Sequence, residues 1–173
     1  MKVQKAALAL LLAVALLLTG TACAPAHTQE KLLAYQAAPF RLSLRGEIRG
    51  FGFAGELSHT PNAESDYHWV FTEPPALCGI EMSLRGEAVT VTQNGIAVAD
   101  DRWDRLLWRE IPALFALQGE PLTVTADREQ RTTTAIFQTA GNKAYTVTLD
   151  SDTALPREIE GDGIRVEILQ FET

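Results

Sequence analysis

Three histidines, His27, His59 and His68, are the only imidazoles in the 173-residue chain, and their spacings match no zinc signature. His59 and His68 each end a predicted strand and can face one another across the loop between them; a structural or exposed role suits both better than ligation, and Glu64 and Asp66 beside them do not change that. The paired acids Asp100-Asp101 and Asp150 to Asp152 stand where helix caps and turns call for carboxylates, not where two acids share a proton. No G-x-S-x-G, H-E-x-x-H, Walker loop or G-x-G-x-x-G occurs, and Gly50-Phe51-Gly52-Phe53-Ala54-Gly55 opens no helix after a parallel strand. These residues point to no catalytic group, no metal and no cofactor, and so away from an enzyme.

Two thiols remain, Cys23 and Cys78. Leu77-Cys78-Gly79-Ile80 offers no partner that would activate the thiol, so Cys78 reads as a small buried apolar residue, or as the disulfide partner of Cys23 if that residue stays unmodified outside the cytoplasm. Cys23 stands behind a secretory signal. Lys2 and Lys5 give the positive start, Ala6 to Leu18 an apolar run of 13 residues, and Thr19 to Ala24 small residues. That run falls short of the about 20 residues of a spanning helix. Gly20-Thr21-Ala22-Cys23 resembles the end of a bacterial lipoprotein signal, in which the cysteine becomes the lipid-bearing first residue; Gly20 departs from the usual aliphatic residue, and ordinary cleavage after Ala24 or Ala26 is the alternative. Either route puts the mature protein outside the cytoplasm, at the cell membrane or envelope; on the lipoprotein route, lipidated Cys23 is its contact with the membrane.

Cleavage before Cys23 leaves 151 residues, enough for one domain with a real core, and loss of Lys2 and Lys5 takes the formal charge from −7 to −9. An acidic domain without a basic stripe is a poor partner for nucleic acid or anionic headgroups. The sequence names no protein partner.

The elements that must position any site are mostly strands. Phe40, Leu42 and Leu44 alternate with Arg41, Ser43 and Arg45; Phe51, Phe53 and Leu57 share a face; Tyr67, Trp69 and Phe71 follow the same period. Gly46 to Gly50 reads as a turn, Ser58 to Ser65 as a loop, Leu77 to Leu84 as a strand, and Gln93-Asn94-Gly95 as a type I′ hairpin turn. After Gly119 come Leu122–Ala126, Arg131–Gln138, Lys143–Asp150, Arg157–Glu160 and Ile164–Phe171, about ten or eleven strands in all, joined by connections short enough to require antiparallel neighbours. Two stretches read as helix. Glu30 to Ala38 supplies two turns before Pro39. Asp100 to Gly119 is amphipathic through Trp103, Leu106, Leu107, Ile111, Leu114 and Phe115, capped by Asp100 or Asp101 and ended by Gly119, with Pro112 forcing a bend or a second short helix whose first turn holds the proline. A greasy helix between two runs of strands suggests a cover laid over a curved sheet.

In element order, residues 30–173 resemble the LolA/LolB-type lipoprotein carriers, and more closely the small secreted lipoproteins that share their fold. Tyr145 to Leu149, the Leu155-Pro156 step and the strand Ile164 to Phe171 carry the resemblance; Pro74-Pro75 before Leu77 to Ile80, then Asn94-Gly95-Ile96, add to it. It implies an α+β fold, a single curved antiparallel half-barrel sheet covered by a helical lid, whose apolar concave face takes acyl chains. It also implies an arginine in the sheet that holds the lid, in the region of Arg41, Arg45 and Arg49. The division is then a lipoprotein-type signal over 1–22, an anchor, tether and short helix over 23–38, and a half-barrel over 39–173 with a helical insertion at 100–119. The ligand-binding candidates are Phe51, Phe53, Leu57, Tyr67, Trp69 and Phe71 on the strands and Trp103, Leu107, Ile111 and Phe115 on the lid. The same aromatics fill a core equally well, and periodicity does not separate a pocket from a core.

Overall fold

A computed structural model describes residues 29–61, 66–86, 88–99, 109–138 and 142–173. The expected signal over 1–22, Cys23 and its tether, and the first half of the helical insertion, with Asp100, Asp101, Trp103 and Leu107, lie outside these residues.

Among the described residues, alternating apolar and polar residues build eleven strands: β1 (Phe40–Ile48), β2 (Phe51–His59), β3 (Tyr67–Glu73), β4 (Ile80–Arg85), β5 (Ala88–Gln93), β6 (Ile96–Ala99), β7 (Thr123–Asp127), β8 (Thr132–Gln138), β9 (Ala144–Asp150), β10 (Pro156–Gly161) and β11 (Ile164–Glu172). They form one antiparallel sheet in the order β6-β5-β4-β3-β2-β1-β11-β10-β9-β8-β7. Each half is a meander, and β1 joins the halves by pairing with β11 from Arg41 opposite Glu172 to Ile48 opposite Ile164. The sheet stays open: β6 and β7 are its edges, and the connection between them in the chain is the insertion itself.

The faces separate by parity. Leu42 lies opposite Leu57 and Leu57 opposite Trp69; Trp69 lies opposite Met82 and Met82 opposite Val91, a continuous apolar row on the inner face. On the other half, Leu149, Val147 and Tyr145 face Thr133, Ala135 and Phe137. The outer face is polar, with Arg41 paired to Glu56, Arg45 to Glu167 at 2.7 Å and Arg165 to Glu158. One dry face and one wet face are what a half-buried antiparallel sheet requires. Burying Trp69, Leu57, Val147 and Phe137 completely is the main favourable term in holding the sheet, at about 1.5–3 kcal/mol for each large aliphatic or aromatic side chain.

Curvature has identifiable sources. Register shifts fall between Ser43 and Leu44 against β11, between Ala54 and Gly55 against β3, and between Pro156 and Glu158 against β9, all in the middle strands. Such bulges bend and twist a sheet. The first also inverts parity along β11, so that Val166 and, past the shift, Phe171 both turn inward.

The structure moves several expected boundaries. Gly46 lies inside β1, and only Arg49 and Gly50, with φ of 50° and 85°, make the turn. Gly46 is needed where β11 comes close: an added Cβ would lie 2.8 Å from Val166 Cγ1 and nearer still to the Arg165 carbonyl oxygen. β2 runs on to His59, so the expected loop at Ser58 begins two residues later, and β4 starts only at Ile80 because residues 75–79 turn. The expected helix over Glu30 to Ala38 is one α-helical turn, α1 (Gln29–Leu32), and a 3-10 turn, Ala34–Ala37, which bury Leu32 and Tyr35. Within the insertion, the helix past Arg109 is only α2 (Glu110–Ala113), with Pro112 inside it; the chain then turns through Leu114 and Phe115 and does not continue as helix to Gly119. Pro112 lies within this short helix, and Gly119 has the expected positive φ, 89°, but ends no helix, since α2 stops at Ala113. What the described residues show is a curved sheet with a short helix on its inner face.

Candidate ligand-binding face

β1, β2 and β3 lay an aromatic band along the inner face. Phe53, on β2, stands 6.0 Å from Trp69, on β3, with the rings at 75°, and Trp69 stands 5.3 Å from Phe71 at 90°. Edge-to-face pairs of this kind add about 0.5–1.5 kcal/mol each to the area they bury. Gly55 makes room for the indole, since a Cβ there would lie 2.6 Å from Trp69 Cζ2. Towards the Phe40 end a second group collects: Phe40 against His59 at 5.1 Å, Phe115 at 6.1 Å and Phe171 at 5.1 Å, with Tyr35 on Phe171 at 5.9 Å and His59 stacked on Tyr67 at 4.5 Å.

The segment after Arg109 packs onto this band. Ile111, Leu114, Phe115 and Leu117 are buried in the same cluster as the sheet residues. The Tyr67 hydroxyl donates to the Phe115 carbonyl oxygen at 3.3 Å. At the other end, the Glu110 carboxylate approaches Arg49 Nη2 at 3.5 Å and Lys143 Nζ at 3.8 Å, while Lys143 also meets Asp162 at 2.5 Å. Of the three arginines expected near the lid, Arg49 touches the helix; Arg41 and Arg45 point to the outer face and bind Glu56 and Glu167. Two polar atoms are buried without a partner among the described residues, Trp69 Nε1 and Glu110 Oε2.

The strand candidates divide. Phe53, Leu57, Trp69 and Phe71 are buried together on one surface, Tyr67 is half-buried beside them, and Ile111 and Phe115 are buried against it from the insertion. Phe51, at the hairpin end of β2, is 45 % exposed. Trp103 and Leu107 lie outside the described residues. Phe40, His59, Phe171 and Tyr35 belong to the same aromatic surface although spacing on the strands gave no reason to single them out as a site. Phe40 and His59 lie opposite one another in the β1–β2 ladder, and the β1–β11 pairing brings Phe171, more than a hundred positions away, to the same surface.

Burial raises all three tyrosines, Tyr145 among them, and most clearly the two of the aromatic band. It pushes Tyr35 up to about 12, and it pushes Tyr67 to about 12 with help from the neighbouring Asp66 carboxylate. Both stay neutral across the physiological range, the Tyr67 hydroxyl donating to the Phe115 carbonyl and the Tyr35 hydroxyl accepting from the Gln36 amide.

Two expectations fail on this surface. His59 and His68 do not face one another, because they occupy adjacent strands with opposite parity. His59 turns inward and donates from Nδ1 to the Asp66 carbonyl at 2.6 Å, while His68 turns outward to Ser83 Oγ at 3.1 Å and Glu81 at 3.5 Å. Cys78 is exposed and not buried, since it sits in the turn before β4, where its thiol donates to the Thr72 carbonyl at 2.9 Å.

No protein-family model matches the chain, and no curated protein matches it in sequence. Solved structures do. An uncharacterized conserved protein from Thermus thermophilus is 10% identical, with a TM-score of 0.52 and a match over 83% of each chain. A LolA superfamily protein from Nitrosomonas europaea is 8% identical over 85% of this chain and 94% of its own, with a TM-score of 0.42. The Pseudomonas aeruginosa MucA/MucB complex is 14% identical over 83% of this chain, with a TM-score of 0.45, and the match spans 54% of that chain. The last two scores are too low to carry an argument about this protein. What the comparisons show is a fold, the open curved antiparallel sheet shared with the Thermus protein.

Proposed function

We propose that this protein is a non-enzymatic lipoprotein of the cell envelope that binds or carries a hydrophobic ligand, an acyl chain or lipid, on the inner face of its sheet beneath a helical lid formed by residues 100–119. One observation carries the reading. The apolar inner surface extends beyond the part that is buried: Ile96 and Val98 on β6 and Phe51 on β2 share the parity of the buried row, yet are 71 %, 46 % and 45 % exposed. Ile96 and Val98 lie together on the edge strand, so the inner face offers an apolar contact at its rim, and Phe51, four strands away, extends it at the hairpin end of β2. Phe51, Phe53, Leu57, Tyr67, Trp69 and Phe71 form the floor of the proposed site, and Trp103, Leu107, Ile111 and Phe115 its cover.

Binding of a fluorescent fatty-acid probe tests this directly. The wild type should bind it saturably, and Val98→Asp, at the exposed rim, should weaken binding with little change in the unfolding midpoint. Absence of binding by the wild type rejects carriage. A second reading is an envelope interaction module with a filled core, favoured by the complete burial of Trp69, Ile111 and Phe115. It expects no probe binding and a purely structural effect of changes at these residues.

Anchoring belongs to the same proposal. Lipidation at Cys23 would hold the protein at the membrane, as no helix among the described residues is long and apolar enough to cross one. Cys23→Ala should abolish labelling by a fatty-acid analogue and shift the protein to the soluble fraction; an unlabelled, soluble wild type rejects the anchor.

A further inference from the structure

The floor of the inner face carries one polar group that its surroundings leave unused. Trp69 is wholly buried, and its Nε1–H has no hydrogen-bond partner among the described residues. Buried donors are nearly always paired, and an unpaired one in a folded protein calls for a specific explanation. An ordered water is a poor one, because a buried water needs two to four polar partners. Here the side chains in register with Trp69 are Leu57 and Met82, and the rings beside it are Phe53 and Phe71. Those rings stand at 75° and 90° to the indole, and a ring face is a much weaker acceptor than an oxygen.

The position of the N–H is fixed by a second residue. Cζ2, the ring atom next to the carbon that bears Nε1, lies 2.6 Å from where a Cβ of Gly55 would stand. The absence of a side chain at Gly55 therefore lets the N–H edge of the indole lie across β2, in the middle of the floor, between Leu44 and Phe71 in register. An aliphatic residue in place of Trp69 would fill an apolar core without leaving a donor there.

We propose that Trp69 Nε1–H is the hydrogen-bond donor of the ligand site, and that the bound molecule is an oxygen-bearing acyl compound, a fatty acid or its ester, whose carbonyl oxygen accepts from this N–H. A plain hydrocarbon leaves the donor unsatisfied. The inference rests on the carriage reading above and narrows it to a ligand class. Because Trp69 is wholly buried, entry requires part of what covers the floor to move.

The test uses methyl laurate and tetradecane, matched in chain length and differing in the ester oxygens, each competing with a fluorescent fatty-acid probe on the full chain and on Trp69→Phe. The ester-to-alkane affinity ratio should fall about two- to tenfold in the variant, the net worth of one neutral hydrogen bond. In the wild type, the indole N–H resonance assigned by its loss in the variant should move downfield with the ester and not with the alkane. An unchanged ratio, or an unmoved resonance with ester bound, overturns the inference and leaves carriage standing. If the wild type binds neither compound nor the probe, carriage falls and the inference with it. If Trp69→Phe does not fold, the resonance is assigned instead as the indole signal that survives in both Trp103→Phe and Trp108→Phe, and its shift in the wild type decides.

Discussion

The Tyr67 hydroxyl, on β3, reaches the Phe115 carbonyl oxygen of the insertion at 3.3 Å. This bond fastens the end of α2 to the aromatic band at a point where Phe115 also meets Phe40. Tyr67→Phe removes the bond and keeps the ring, so it should cost about 1 kcal/mol in urea unfolding at neutral pH. The pH dependence gives a second reading. Burial raises Tyr67 from 10.0 to about 12, so the stability it contributes is complete below pH 10 and is lost as pH rises towards 12. The variant should lose less stability over that window than the wild type, with Tyr35 still contributing its share.

Gly55 admits the indole of Trp69. Gly55→Ala places a Cβ 2.6 Å from Trp69 Cζ2 and closer still to the Val70 carbonyl oxygen, and backbone cannot swing aside as a side chain can. A loss of about 1–3 kcal/mol is expected, as for other overpacked sites. Chemical denaturation measures it, and a shifted tryptophan emission should accompany it. A neutral result means that the strands separate more easily than their packing implies.

Glu110 is shared between Arg49 and Lys143, which come from the β1–β2 turn and the start of β9. At 3.5 and 3.8 Å, and with Arg49 about half exposed, each pair should contribute less than about 1 kcal/mol. A double-mutant cycle of Arg49→Met with Glu110→Gln should give a coupling energy in that range at low salt, shrinking in 0.5 M salt (about a 4 Å screening length). Zero coupling at low salt removes the arginine as a fastener of α2.

Asp150 organises the turn from Ser151 to Leu155. Its Oδ1 accepts from the Asp152 and Thr153 amides, each at 2.9 Å, and its other oxygen pairs with Arg157. The Thr153 amide first, then the Arg157 guanidinium and the Asp152 amide, hold this carboxyl well below its ordinary value of 3.8. A depressed carboxylate stabilises the fold above its unfolded value and loses that contribution as pH falls through the folded one. Asp150→Asn keeps the acceptor and loses the charge. The variant should be less stable than the wild type at pH 7, and the difference should shrink as pH drops below about 4, followed by thermal melting.

The parts of the fold that follow from local chemistry were legible in the sequence. Asn94 and Gly95 take φ of 52° and 77° because a two-residue hairpin turn requires both positive, and that pair of residues announces it. Strand number and antiparallel order follow from period-two runs with short joins. Gly46 was not legible in the same way, since a glycine marks a turn and a close strand approach alike, and only the distance to Arg165 and Val166 separates the two. Cys78 and His68 face solvent for reasons of turn geometry and strand parity that depend on where β3 and β4 start. The pairing of β1 with β11, which assembles Phe40, Tyr35 and Phe171, leaves no local mark.

That central seam has a consequence for how the chain reaches its native state. Every other strand pair in the sheet joins neighbours in sequence, so two meanders can form from local contacts, while β1 with β11 closes a loop of more than a hundred residues and carries its entropic cost. Arg41 lies opposite Glu172, so the end of β11 and the start of β1 are already placed as the two arms of a hairpin. A circular permutant opened in the 109–122 connection and joined from Thr173 to Phe40 through a short turn would read β7 to β11 and then β1 to β6. All its strand pairs would be local, and it should fold faster than the natural order of the same strands.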